Sequence, residues 1–193
     1  MTQTTQSLTA DTIVPFLADI FARRGGEEYL GEPVTMAQHM LQAAVFAQEA
    51  GEPEDVIVAA LLHDIGHFTS EFGMFSMEDT EDRFHEDAGG AILAEFFPPI
   101  VTDCVRYHVA AKRYLCATEP AYFNALSEAS VHSLNLQGGP MSDQEVADMA
   151  KLQNLDAILR VRIYDDKGKE AGMETPDFTH FAPMVARVAA QAH

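Results

Sequence analysis

Basic residues are scarce in this chain. Twelve lysines and arginines face thirty aspartates and glutamates, for a formal charge of −18. Phosphate contacts dominate nucleic-acid affinity, so no nucleic-acid partner is expected. Cysteine is scarcer still: Cys104 and Cys116 are the whole set. They fall in helical or near-helical sequence and form no framework, which points to a reducing, cytoplasmic setting. No signal peptide and no run of about eighteen apolar residues occurs, so a soluble protein without a membrane partner is expected. Strand-like alternation is nearly absent. Internal repeats, domain linkers and low-complexity runs are missing too.

What is present reads as helix. The 193 residues are 47% apolar, enough for one domain with a sizeable core. Only the first eight or so residues and the last few read as flexible tails. Ile13, Phe16, Leu17, Ile20 and Phe21 recur at helical spacing before the stop Arg23-Arg24-Gly25-Gly26. Thr35 can cap a helix carrying Met36, Met40, Leu41, Ala44 and Val45, closed by Gly51. Pro53 opens the next, with Val56, Ala60 and Leu61 on its core face; it runs through His63-Asp64 and ends near Gly66. Further helices are predicted over 84–96, 99–110, 119–134, 142–150, 152–163 and 179–190, with Pro98-Pro99 between the first two. The expected fold is a single all-α bundle over residues 1–193.

Two segments read as loops. Residues 25–34 hold glycines and a proline around Tyr29 and Glu32. Residues 68–83 mix aromatics with acids. Loops of such length in a compact domain are often functional. The few basic residues gather as Arg106, Lys112 and Arg113, and as Arg160, Arg162, Lys167 and Lys169. Local positive clusters in an acidic protein suit a small anionic ligand; plain solvation of helix surfaces is the alternative.

The chemistry-bearing residues surround one dipeptide. His39, His63, Asp64, His85, His108 and Asp165 make six nitrogen and oxygen ligands, one or two more than a single transition metal usually takes from protein. Two metals sharing a ligand fit better, and a carboxylate has two oxygens, so Asp64 is the natural bridge. Histidine and carboxylate without thiolate suit iron, manganese or zinc. His67 follows His63 by four residues and can enter the site or support it from behind. His132, His180 and His193 read as ordinary core or surface histidines. Lys112 stands one helical turn after His108, so its ammonium can reach an anion bound at the second metal.

The order His, His-Asp, His, His, Asp resembles the HD-domain superfamily. The five-ligand-plus-bridge form resembles its dinuclear members. Most of those are phosphohydrolases; a smaller branch comprises mixed-valent di-iron oxygenases. Over about residues 27–170 the chain is similar to the branch that cleaves 1-hydroxyphosphonates. The matching stretches are Tyr29-Leu30-Gly31-Glu32, AALLHDIGH from Ala59 to His67, HVAAKRYL from His108 to Leu115, Leu126-Ser127-Glu128-Ala129-Ser130, QGGPM from Gln137 to Met141, and RIYDDKGK from Arg162 to Lys169. The His-Asp dipeptide alone is common; HVAAKRYL together with QGGPM is specific.

The resemblance implies two iron ions cycling from Fe2+/Fe3+. His39, His63, Asp64 and Asp165 would hold one, and Asp64, His85 and His108 the other. Lys112, Ser130, Gln137, Arg162 and His67 would cradle a phosphonate, with ordinary surface or loop bonding the alternative for Gln137 and Arg162. Tyr29 would occupy the second iron until substrate arrives, and Glu32 would meet the substrate's amine. Asp64, His67, Lys112 and Tyr29 are the expected catalytic residues. The implied reaction uses dioxygen to cut a C–P bond, giving phosphate and a carboxylic acid.

Two substrates fit that reading. One is 1-hydroxy-2-(trimethylammonio)ethylphosphonate, giving glycine betaine; the other is 2-amino-1-hydroxyethylphosphonate, giving glycine. A quaternary ammonium favours an aromatic and acidic cage. Phe68, Phe72, Phe75 and Phe84, with Glu78, Asp79, Glu81, Asp82 and Tyr29, supply candidates and favour the trimethylated compound, with packing of the loop onto the bundle the alternative for the aromatics. A metal-dependent phosphohydrolase and a metal-stabilised binding protein are the competing classes. Either a monomer or a homodimer is compatible with the sequence.

Overall fold

A computed structural model describes residues 8–29, 31–69 and 85–192. Among them the regular elements are helices, apart from an isolated antiparallel bridge between Glu28 and Thr35. In chain order they are α1 (Ile13–Arg24), α2 (Met36–Glu49), α3 (Glu54–Leu62), α4 (Gly66–Thr69), α5 (His85–Leu93) and α6 (Pro99–Thr118). They continue as α7 (Pro120–Phe123), α8 (Glu128–Leu136), α9 (Asp143–Met149), α10 (Leu155–Lys167) and α11 (Phe178–Ala189).

Helix α3 is the centre of the bundle. Every residue from Val56 to Leu62 is buried, and a helix apolar on all sides has to be surrounded. It packs against α2, α6, α10 and α11, while α5 lies on α6 and α1 on α11. Each fully buried Leu or Ile here contributes about 1.5–3 kcal/mol relative to exposure. Ile13, Leu17, Ile20 and Phe21 bury the inner face of α1, with Phe16 partly covered. Thr35 caps α2 as its sequence predicts, in a capping box with Gln38.

Four boundaries differ from the sequence reading, and each matters for the site. The helix opened by Pro53 stops at Leu62, and His63, Asp64 and Ile65 form a turn before α4. Ile65 N–H donates to Leu62 and His67 N–H to Asp64, both at 3.0 Å, so i→i+3 bonds tighten the chain here. Helix α6 runs on to Thr118, because nothing in HVAAKRYLCAT breaks it; His108 and Lys112 therefore sit on one continuous helix. The stretch 119–134 divides into α7 and α8, since Ser127 turns its side chain to cap Ser130 N–H. Helix α10 extends past 163, which puts Asp165 in its last turn rather than beyond it.

The segment before α2 folds back on itself. Tyr29 N–H donates to Val34 at 3.1 Å, and Met36 N–H to Glu27 at 2.9 Å. Gly31 has φ 67, the left-handed conformation that a tight return needs. This loop carries Tyr29 and Glu32 to the top of the bundle's polar interior.

Candidate metal centre

Four helices and one turn bring the predicted ligands together. Helix α2 supplies His39, the turn after α3 supplies His63 and Asp64, α5 begins with His85, α6 supplies His108 and α10 supplies Asp165. All six are buried. Uncompensated burial of so many polar groups would be costly, so the arrangement demands a counterpart.

The histidine tautomers show what that counterpart is. His39 Nδ1 lies 2.8 Å from the Gly168 carbonyl, and His63 Nδ1 2.8 Å from the Ala60 carbonyl. A carbonyl only accepts, so each Nδ1 carries the hydrogen and each Nε2 is left with a lone pair. The two Nε2 atoms nevertheless face each other at 2.9 Å. Two acceptors at that distance repel unless a proton or a metal cation lies between them. Asp165 completes the group, with Oδ1 3.4 Å from His39 Nε2 and accepting no hydrogen bond. His108 repeats the pattern: its Nδ1 donates to Val105 at 2.7 Å, and its Nε2 lies 3.1 Å from His85 Nε2.

Asp64 joins the two imidazole pairs. Its Oδ2 is 3.4 Å from both His39 Nε2 and His63 Nε2. Its Oδ1 is 3.3 Å from His85 Nε2 and 3.2 Å from His108 Nε2. Metal–nitrogen bonds of roughly 2.1 Å place neighbouring ligand atoms roughly 3.0–3.4 Å apart, so these spacings would suit two coordination spheres sharing one carboxylate. The donor set fits two cations.

Electrostatics agree. Burial alone would lower the His63 pKa, but the carboxylates of Asp64 and Asp165 outweigh it and raise it to about 9. Without a metal, a proton fills the gap beside His39. Burial alone would raise Asp64; His63, His108 and His39 hold it well below the usual carboxylate range. Burial and the neighbouring His85 keep His67 neutral. His67 stacks on His85 with centroids 3.9 Å apart, and its Nε2 stands 3.9 Å from Asp64 Oδ1. His67, Asp64 and His85 are close enough together to form a metal-binding group. His108 makes the shorter approaches and is the better third ligand, which leaves His67 on the rim.

A cavity opens beside Asp64, His85 and His108. Tyr29, His67, Lys112, Gln137 and Arg162 complete its wall. Tyr29 stacks on His39 at 3.9 Å; burial and then the Asp64 and Asp165 carboxylates keep its phenol protonated in the absence of metal. Lys112 Nζ donates to Ser133 Oγ at 2.7 Å, and burial lowers its pKa to about 7. The Oε1 of Gln137 is buried and accepts nothing. An adjoining cavity is walled by Glu32, Ser130 and Lys169, with Tyr29, Lys112, Ser133 and Arg162 shared between the two.

Several sequence expectations need correction. Arg162 is no surface residue. It is 4% exposed, donates to Asp165 at 2.6 Å, and also binds Asp166 and the Tyr122 hydroxyl. Its charge therefore orients Asp165, a candidate metal ligand. The positive cluster around Lys112 dissolves: Arg106 covers Gly90, and Arg113 pairs with Glu145 at 2.7 Å. Phe68 is not part of a cage over the site. Its ring packs edge-on to Phe21 and beneath Arg24. Phe72, Phe75, Phe84, Glu78, Asp79, Glu81 and Asp82 lie outside the described residues. Ser133 went unnoticed in the sequence, although it follows Ser130 by three residues on a helix and so shares its face. Cys104 and Cys116 are buried free thiols. His180 is exposed and His132 half-buried, as ordinary histidines; His193 lies outside the described residues.

Residues 36–158 match the HD domain family. The chain is 67% identical over 181 residues to the [1-hydroxy-2-(trimethylamino)ethyl]phosphonate dioxygenase (glycine-betaine-forming) of Leisingera caerulea, covering 94% of this chain and 92% of that one. It is 41% identical over 160 residues to the hydroxymethylphosphonate dioxygenase of Gimesia maris, covering 81% and 78% respectively. Among the described residues no helix is long and apolar enough to cross a membrane. With buried histidines and aspartates gathered around Asp64, the chain belongs to the HD-domain family, in the branch that contains these two phosphonate dioxygenases.

Proposed function

We propose that the protein is a di-iron dioxygenase that cleaves the C–P bond of 1-hydroxy-2-(trimethylammonio)ethylphosphonate, giving glycine betaine and phosphate. The observation that carries this is Asp64, whose two oxygens each face a separate imidazole pair beside a cavity containing a buried lysine. The 67% identity to a glycine-betaine-forming enzyme supports the substrate. The reaction balances: the hydroxyphosphonate and O2 together supply all atoms of the carboxylic acid and phosphate, with carbon 1 oxidised by four electrons and dioxygen reduced.

Two iron ions, one on His39, His63, Asp64 and Asp165 and one on Asp64, His85 and His108, would supply the dioxygen and electron chemistry when bound. The protein's own part is charge and position. Lys112 neutralises the phosphonate, and Gln137 and His67 face the same space. Ser130, one cavity further out, stands nearer the amine end than the phosphonate. Arg162 fixes Asp165 from behind, as outer-shell partners do. Tyr29 closes the cavity wall against His39 and Glu32 faces the ammonium end, an arrangement that restricts wasteful entry of oxygen and water. The 2-amino compound would use the same centre and yield glycine.

Iron-loaded protein given each 1-hydroxyphosphonate in air tests this reading. Glycine betaine with phosphate from the trimethylated compound, and little glycine from the amine, is the expected result. The reverse preference replaces the substrate but keeps the chemistry. Phosphate from neither, together with anaerobic release from phosphoesters, would move the protein to the hydrolases.

Lys112 gives a second test. Above about pH 7 the free protein loses the Lys112 proton, while a bound dianion would restore it. Substrate binding at higher pH therefore takes up a proton, and KM rises as pH climbs through about 7. Lys112→Ala is expected to raise KM by ~10–100-fold with iron content nearly unchanged, and Lys112→Arg to flatten the alkaline rise. Loss of iron with normal KM in the alanine variant would contradict this role.

A further inference from the structure

We infer that Lys169 is the internal counter-ion of Glu32, an ammonium that holds this carboxylate until the substrate's own ammonium displaces it. The inference rests on the proposed substrate and concerns a residue outside the metal ligands and the phosphonate contacts. Lys169 Nζ is 3.6 Å from Glu32 Oε1 and donates to Ser130 Oγ at 2.9 Å. Ser127 Oγ donates to the same Glu32 oxygen at 2.6 Å and lies 3.1 Å from Ser130 Oγ. The Nζ also stands 6.0 Å from the centroid of the Tyr29 ring. These groups form one network joining the loop before α2, the start of α8 and the chain just after α10.

Position makes the network a checkpoint. Glu32, Ser130 and Lys169 wall the cavity next to the metal centre, and they also wall a larger outer cavity with Tyr122, Leu126 and Ile163. The side chains of Lys169 and Glu32 are only 13% and 11% exposed, so this is not a solvated surface pair. Their separation exceeds a hydrogen bond, so charge rather than directed bonding holds them together. A trimethylammonium group cannot donate hydrogen bonds, and it competes on the same non-directional terms. Lys169 is also anchored: the neighbouring Gly168 carbonyl accepts from His39 Nδ1, and a Cβ on Gly168 would lie 2.8 Å from the His39 carbonyl oxygen. Its backbone is fixed, and only its flexible stem has to move.

The test compares a phosphonate that carries an ammonium with one that does not. Calorimetry on iron-loaded protein without oxygen measures binding of 1-hydroxy-2-(trimethylammonio)ethylphosphonate and of hydroxymethylphosphonate. Lys169→Met should tighten the ammonium compound about tenfold and leave hydroxymethylphosphonate within about twofold, while Lys169→Arg restores wild-type discrimination. Equal changes for both compounds, or weaker binding of the ammonium compound, would overturn the inference. A ligand-free thermal cycle of Lys169→Met and Glu32→Gln reads the pair itself: coupled effects support it and additive effects overturn it. Wild-type protein that binds neither phosphonate sinks the substrate reading and the displacement step with it, and the thermal cycle distinguishes that failure from the absence of a pair.

Discussion

Asp64→Ala is expected to strip the protein of both metals and to lower turnover ~10³-fold or more. The size follows from geometry. Among the described residues, Asp64 is the one carboxylate whose oxygens reach both imidazole pairs, at 3.2–3.4 Å. Removing it takes a charged ligand from each sphere at once. Asp165 remains on one side only, and the other side keeps two neutral imidazoles. Asp64→Asn preserves the shape but supplies a single neutral oxygen, so it should hold at most one metal. Metal content per chain and turnover, measured on folded variants, decide the matter. Two metals and wild-type activity in Asp64→Ala would remove the bridging role.

Gly66→Ala should be the most damaging substitution away from the ligands. A Cβ at Gly66 would stand 1.8 Å from the His85 carbonyl oxygen and 2.8 Å from Gly89 N. Both neighbours are backbone, so one helix has to move by more than an ångström. Overpacking of this kind costs ~3 kcal/mol or more, a fall of about 6–12 °C in Tm for a domain of this size. The displaced element begins with His85, which would hold one metal only. The expected signature is therefore selective: metal content falls from about two per chain towards one, held by His39, His63, Asp64 and Asp165. A variant with unchanged Tm and both metals would show that His85 does not depend on this contact.

Asp64 and Gly66 differ in how visible their roles are in the sequence. Asp64 stands out in the sequence because a histidine precedes it and four more ligands follow the family's order. Gly66 reads there as a helix stop. Its importance comes from α5, which begins nineteen residues later and crosses at its Cα. Arg162 is a similar case. In sequence it belongs to a basic cluster suited to an anion; in the fold, Asp165, Asp166 and Tyr122 already engage it. Phe68 looked like part of an aromatic cage and proves to be core packing against α1.

Taken alone, the sequence determined the helical class and most of the core, and it singled out six candidate ligands that the fold buries around one interior. Apolar periodicity is local, and metal ligands must be specific residue types. Only the tertiary structure decided how closely these side chains approach one another and which ring nitrogens of His39, His63 and His108 face inward. It also decided that Lys112 is buried enough to titrate near 7, and that Glu32 already has an ammonium partner in Lys169. Those properties depend on distances between atoms far apart in the chain and on the water excluded around them. Residue order does not encode such distances directly; packing of α2, α3, α6 and α10 around one polar interior sets them.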